Sequence, residues 1–266
     1  MWLPKEDMSL STIQLSKDIT AWIKQYAQDH NIQSLVVGIS GGIDSSVVST
    51  LCAETQMPVH AVTMPIQQHN DQHTLSIDHG HWLAERYSNV THHVILLDRL
   101  YNTFVDLMPK QCLNQHALAN TKSRLRMVTL YQLAGSCNGI VVGTGNKVED
   151  FGVGFYTKYG DGGVDISPIA DLLKSEVWQL GKDLNILQSI IDAPPTDGLW
   201  EDGRTDKDQL HGLTYDQLEH AMTLHDDIPT EHGHSMEDKD LLSKYLQIRN
   251  PNLHKMNPIP IYQRHK

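Results

Sequence analysis

The chain has 266 residues, 39% of them hydrophobic and 20% charged, with a formal net charge of −11. That is enough chain for one large domain or two small ones with a sizeable core, in proportions ordinary for a soluble globular protein. The acidic balance, the lack of a basic run and the lack of any apolar stretch of membrane-span length argue against nucleic-acid and membrane partners.

Residues 11–28 place Ile13, Leu15, Ile19, Trp22, Ile23 and Tyr26 at the spacing of an amphipathic helix, with Ser11 as its N-cap. The apolar run at 35–39 reads as a buried strand. It opens on Ser40-Gly41-Gly42-Ile43-Asp44-Ser45-Ser46 and then a helical pattern at Val47, Val48, Leu51 and Cys52. Residues 59–64 form a second apolar run ended by Pro65, 67–73 a polar loop, 75–87 a helix and 94–97 a third strand. A helix follows at 120–133, and a strand at 140–142 runs into Gly143-Thr144-Gly145-Asn146-Lys147. Strands alternating with helices predict an α/β protein with a parallel sheet. Ligands of such sheets bind beyond the carboxyl ends of the strands, so Gly41-Gly42 and Gly143-Thr144 should face one crevice.

Residues 151–163 are rich in glycine and predict a long polar loop of the kind that carries function. Helix resumes at 174–184. Residues 193–211 form a second irregular region, expected to move when no ligand is bound. Helices at 215–224 and 241–248 close the chain, and 250–266 reads as a polar tail. Without a repeat or a linker, residues 1–266 are expected to be one domain. Cys52, Cys112 and Cys137 lack metal-ligand spacing and predict core thiols in a reducing compartment. The absence of a signal-peptide core at Met1 to Asp7 then predicts a cytoplasmic protein. The sixteen histidines, among them His69/His73 and His232/His234, are expected to be mostly solvated rather than zinc ligands.

The segment at 40–46 carries the most chemistry. A strand, a glycine turn and a helix N-terminus aim backbone N–H groups and the positive end of the helix dipole at one spot, where an anion can sit. Gly41 and Gly42 have no Cβ to block its approach. The hydroxyls of Ser40, Ser45 and Ser46 add donors. Asp44 repels an anion unless a cation lies between them, and phosphate oxygens with Mg²⁺ would resolve that conflict. The alternative is a plain tight turn with Asp44 as a helix cap. No lysine follows the glycines as in a Walker A loop, and Gly38 to Gly42 does not supply a dinucleotide fingerprint.

The residues at 40–46 resemble the pyrophosphate loop of the N-type ATP pyrophosphatases. Adding Asn120-Thr121-Lys122-Ser123-Arg124-Leu125-Arg126, Gly143-Thr144-Gly145-Asn146-Lys147-Val148-Glu149, the run Thr157-Lys158-Tyr159-Gly160-Asp161-Gly162-Gly163-Val164-Asp165, Pro194-Pro195-Thr196 and His254-Lys255, the chain resembles the ammonia-dependent NAD synthetases from about residue 34 to 255. The resemblance implies a doubly wound, mostly parallel sheet with helices on both faces. It implies amidation of deamido-NAD by ammonia, with ATP as co-substrate and Mg²⁺ as cofactor, through an adenylate and with release of pyrophosphate and AMP. It places ATP at Gly38, Ile39, Ser40, Gly41, Gly42, Ile43, Asp44, Ser45, Thr144, Lys174 and Thr196. Deamido-NAD falls at Arg124, Lys158, Asp165, His254 and Lys255, and metal at Asp44 and Glu149. Free ammonia is the expected nitrogen source, since this length has no room for the amidohydrolase domain of the glutamine-dependent relatives. A homodimer is implied as well. The chain departs from the family at Asp197-Gly198 and after Lys255. Two other functions remain open on the residues alone: a different ATP pyrophosphatase, or a nucleotide-binding regulatory module.

Overall fold

The computed structural model describes residues 5–67, 70–195, 199, 206–226 and 235–264. Among them the strands are β1 (Ser34–Ile39), β2 (Val59–Thr63), β3 (Val90–Val94) and β4 (Gly139–Val141). The helices are α1 (Lys5–Asp29), α2 (Ile43–Glu54), α3 (Asn70–Arg86), α4 (Asp98–Leu107), α5 (Gln115–Ser136), α6 (Lys174–Asp183), α7 (Gln188–Ile191), α8 (Asp206–Gln209), α9 (Tyr215–Asp226) and α10 (Met236–Met256).

The four strands pair in parallel in the order β3-β2-β1-β4. Alternation along β1 sorts the helices into two layers, because successive side chains leave a strand on opposite faces. Leu35, Val37 and Ile39 join one core with Ile23 of α1, Val47 and Leu51 of α2, Leu83 of α3 and Leu180 of α6. Val36 faces the other way, onto Tyr101 of α4 and Met127 and Leu130 of α5. The sheet is therefore doubly wound, as the resemblance implied. The order reverses between β1 and β4, and the chain leaves both strands there into small and polar residues.

A third core lies outside the sheet. Val148 and Val153 pack with Leu218 and Met222 of α9 and with Tyr245 and Ile248 of α10. Val148 and Val153 belong to a π-helical segment, Lys147–Val153, where a loop was expected from residue 151.

Several boundaries differ from the sequence reading. α1 runs through Ser11 rather than starting there, and α3 begins at Asn70, inside the expected loop. The third strand is Val90–Val94, not 94–97, because its ladder is set by β2, from Val59↔Val90 to Thr63↔Val94. Val94 and Leu96 are 47% and 69% exposed. α4 was not anticipated. α10 continues through Pro251 to Met256 where a tail was expected. It is tied down by Tyr245 Oη donating to Gly152 O (3.0 Å), Asn252 Nδ2 to Val153 O (2.9 Å) and Lys255 Nζ to Tyr156 O (2.8 Å).

Of the twelve histidines whose burial is described, seven are exposed, in line with the expectation that most are solvated. His79 is fully buried, with Nε2 2.9 Å from Ser49 Oγ. His60 Nδ1 lies 2.9 Å from His93 Nε2, and His92 Nε2 lies 3.0 Å from Thr63 Oγ1. His69, His232 and His234 fall outside the described residues. The three cysteines are free. Cys52 is buried, with its thiol pushed up to about 12 by burial, but Cys112 is exposed rather than a core thiol. No described helix is long and apolar enough to cross a membrane.

Candidate functional site

A cavity of about 450 Å³ opens at the reversal point of the sheet. That volume suits a nucleotide-sized ligand. Residues Gly38 to Ser45 and Gly143 to Gly145 line it together, so the two glycine turns share one crevice as their strand positions predicted.

The first turn is held by its own hydroxyls. Gly41 has φ of 90°, a conformation open to glycine at no steric cost. Ser40 Oγ accepts from Gly42 N at 3.1 Å, and Ser45 Oγ accepts from Ser40 N at 3.2 Å and donates to Gly42 O at 3.0 Å. Ser46 Oγ also donates to Gly42 O and is fully buried. The hydroxyls of Ser45 and Ser46 thus brace the turn. The N-cap of α2 is Gly42, and no side chain caps its first amides. That leaves the positive helix end turned toward the cavity, where an anion is favoured.

At the mouth of this turn three charges meet. Lys174 Nζ, at the start of α6, donates to Asp44 Oδ2 at 2.5 Å and to Glu149 Oε1 at 2.8 Å. Its side chain is 3% exposed, and those of Asp44 and Glu149 are 18% and 16% exposed. The rings of Tyr215 and Trp178 lie 5.1 and 5.7 Å from the ammonium. Tyr215 Oη donates to Glu149 Oε1 at 2.7 Å. Asn146, which has no solvent exposure, binds both carboxylate segments: Nδ2 donates to Asp44 Oδ1 (3.1 Å) and Oδ1 accepts from Val148 N and Glu149 N (3.0 Å each).

Burial and the two carboxylates act in opposite directions on Lys174. The carboxylates prevail, so the ammonium stays charged well above the usual lysine range. Burial raises Glu149, but Lys174 and the hydrogen bonds from Lys174, Tyr215 and Asn146 carry it below its usual value. Burial pushes Asp44 up against the pull of Lys174, and the Glu149 charge adds to the push. Asp150, beside them in the cavity wall, is raised well above the carboxylate range by burial and then by Asp161, Glu149 and Asp44.

Thr144 also lines the cavity. Thr196 lies outside the described residues, as do most of residues 196–205, so the expected mobility of that stretch falls there too. Four of the five residues assigned to the acceptor join in a second group, outside that cavity. Arg124 Nε donates to Lys158 O (3.2 Å), Lys158 Nζ to His254 O (3.2 Å), and Lys255 Nζ to the carbonyls of Gly154 (2.5 Å) and Tyr156. Burial lowers the Lys255 ammonium against the pull of Asp161 and Asp150. Asp165 stands apart: its carboxylate accepts from Val141 N (2.7 Å) and Tyr131 Oη (3.0 Å) and so ties β4 to α5.

Sequence reasoning missed Asn146, Trp178 and Tyr215. Asn146 sits inside the Gly143–Glu149 run and follows a strand end, which is a readable cap signal. Trp178 lies one helical turn after Lys174, also readable. Tyr215 comes from α9, whose packing no local pattern announces.

The NAD synthase family profile matches residues 15–258. The chain is 39% identical over 212 residues to the NH(3)-dependent NAD(+) synthetase of Alkaliphilus metalliredigens, covering 76% of this chain and 82% of that one. Its fold is similar to a solved structure of NMN synthetase from Francisella tularensis, with a TM-score of 0.82 and 28% identity over 94% of this chain and 98% of that one. It is also similar to an NH3-dependent NAD synthetase from Campylobacter jejuni, with a TM-score of 0.74 and 24% identity over 95% and 99%. With a profile match across most of its length and a paired-carboxylate centre at the reversal of its sheet, the chain belongs to the NAD synthase family.

Proposed function

We propose that this chain makes NAD from deamido-NAD, ATP and ammonia, as its curated relatives are named for doing. The observation that carries the reading is the placing of Asp44, Glu149 and Lys174 beside an uncapped helix N-terminus at the reversal point of the sheet. The turn at 40–45 and the start of α2 hold the triphosphate. The nicotinate carboxylate attacks the α-phosphorus and pyrophosphate leaves. Its growing negative charge meets backbone N–H groups and Lys174. Ammonia then attacks the activated carbonyl, loses a proton, and AMP departs with the bonding pair of the broken C–O bond. Binding both nucleotides in line lowers the barrier through proximity, and no nucleophilic side chain is needed.

The donor set fits Mg²⁺. Among the described residues no three His, Cys, Asp or Glu side chains form a metal cage. Two carboxylates with phosphate oxygens and water are what a magnesium–nucleotide site uses. Asp44 and Glu149 would hold the ion, which would offset charge on the leaving pyrophosphate. Thr144 and Thr196 contact ATP; Arg124, Lys158, Asp165, His254 and Lys255 bind deamido-NAD. The enzyme works in the cytoplasm as one domain, and as a homodimer. In support of the dimer, Leu96, Leu100, Phe104, Leu107 and Val128 are exposed apolar side chains, and Val128 lies one helical turn from Arg124 on α5; a monomeric mass in solution would contradict it.

A second reading has one observation behind it, the TM-score of 0.82 to an NMN synthetase. It would replace the dinucleotide acceptor by the mononucleotide acid. Purified protein given Mg²⁺, ATP and ammonium is expected to form AMP and NAD from deamido-NAD, faster than it forms NMN from the mononucleotide acid. No AMP with either acceptor refutes the ligase reading; faster turnover of the mononucleotide refutes the choice of acceptor.

A further inference from the structure

The position of Lys174 has a meaning beyond ATP binding. Its ammonium bridges the two carboxylates proposed to hold the metal, at 2.5 and 2.8 Å. Building on the ligase reading, we propose that Lys174 is an internal stand-in for the divalent cation: it occupies the gap between Asp44 and Glu149 and yields it only when a triphosphate offers new partners.

Two carboxylates and one ammonium leave the cluster with one net negative charge. A divalent cation arriving alone has two routes, and both are costly. It can share the gap with the ammonium, against direct like-charge repulsion. Or it can push the ammonium away from its counter-charges while the side chain stays buried, with 3% exposure. The arrival of a triphosphate changes this. Lys174 lines the same cavity as the 40–45 turn, so phosphate oxygens replace the carboxylates as its partners. The faces of Tyr215 and Trp178 keep their attraction for the ammonium, which does not depend on either carboxylate. Asp44 and Glu149, already held by Asn146 and Tyr215, are then free to take the cation. Metal and nucleotide therefore enter together, and metal alone binds weakly.

Mn²⁺ without nucleotide is the probe, titrated into wild type, Lys174→Met and Lys174→Gln by calorimetry or electron paramagnetic resonance. The variants are expected to bind Mn²⁺ about 10-fold more tightly or better, since a neighbouring unit charge has been removed. Mn²⁺ should raise their melting temperature far more than that of wild type. Adding Asp44→Asn to Lys174→Met should abolish the gain. If the variants fold only with metal present, refolding in Mn²⁺ should restore the native circular dichroism. Equal or weaker Mn²⁺ affinity, a gain that survives Asp44→Asn, or misfolding that Mn²⁺ does not rescue each overturns the proposal. Wild type that binds Mn²⁺ as expected but makes no NAD would remove the ligase reading and leave this one standing.

Discussion

Replacing Asn146 by alanine tests how the carboxylate pair is held. The Asn146 side chain accepts from the buried Val148 amide and from Glu149 N, and donates to Asp44. Alanine orphans two amides at a helix start and removes one donor from a carboxylate. An unsatisfied buried donor costs about 1–3 kcal/mol, and loss of a side-chain cap about 0.5–2 kcal/mol. Partial rehydration of the Glu149 amide brings the sum to about 2–4 kcal/mol, a large share of the roughly 5–15 kcal/mol of a folded protein. Urea denaturation should show a lower midpoint with an unchanged slope. Asn146→Asp separates stability from site geometry. It keeps an acceptor for both amides but sets a third carboxylate against Asp44, so it should stay nearer wild type in stability and lose activity. Asn146→Ala within about 0.5 kcal/mol of wild type would refute this account of the side chain's three hydrogen bonds.

Three further outcomes are expected. Burial lowers His79 to about 3, below the value of about 6.5 for an unfolded histidine. Its contribution is therefore complete above about pH 6.5 and is lost as pH falls toward 3, up to a limit on the order of 5 kcal/mol. His79→Gln should flatten the acid loss of stability between about pH 6.5 and 4, and an unchanged curve would exclude His79 as its source. A Cβ on Gly80 would lie 2.3 Å from the His92 ring, so Gly80→Ala should cost about 1–3 kcal/mol in denaturation experiments and far less in a His92→Ala background; equal costs in both would rule out the clash. A thiol reagent should label Cys112 in the native protein and Cys52 only on unfolding, since one is exposed and the other is buried with its thiol pushed up to about 12. Labelling of both at one rate would contradict that burial.

The sheet was legible where burial is two-sided. Residues 35–39 and 140–142 are unbroken apolar runs because helices cover both faces. β3 was misplaced because it is a polar, only partly buried edge strand, unlike the apolar edge β4: Thr91, His92 and His93 lie within it, while the more apolar 94–97 stretch only leaves the ladder. α4 was missed because it buries Tyr101 but exposes Leu100, Phe104 and Leu107, so its apolar residues mark no single core face. Pro251 looked like a stop, and only the contacts of α10 with residues 152–156 carry the helix past it. In the site, the glycine turns and their crevice could be read locally. The ion triad could not, since Asp44, Glu149 and Lys174 are joined by folding across 130 residues of chain. Tyr215 reaches Glu149 only through the packing of α9.

The segment Lys147–Val153 is wound with one residue more per turn than an ordinary helix. Such a turn stores a spare residue, and removing any one would let the coil tighten. Each residue of an α-helix turns the chain by about 100°, so a single deletion there would swing the Glu149 carboxylate away from Lys174 even with every side chain kept. Natural variation at this bend should consequently change letters and preserve count, with length polymorphism confined to the surface connections.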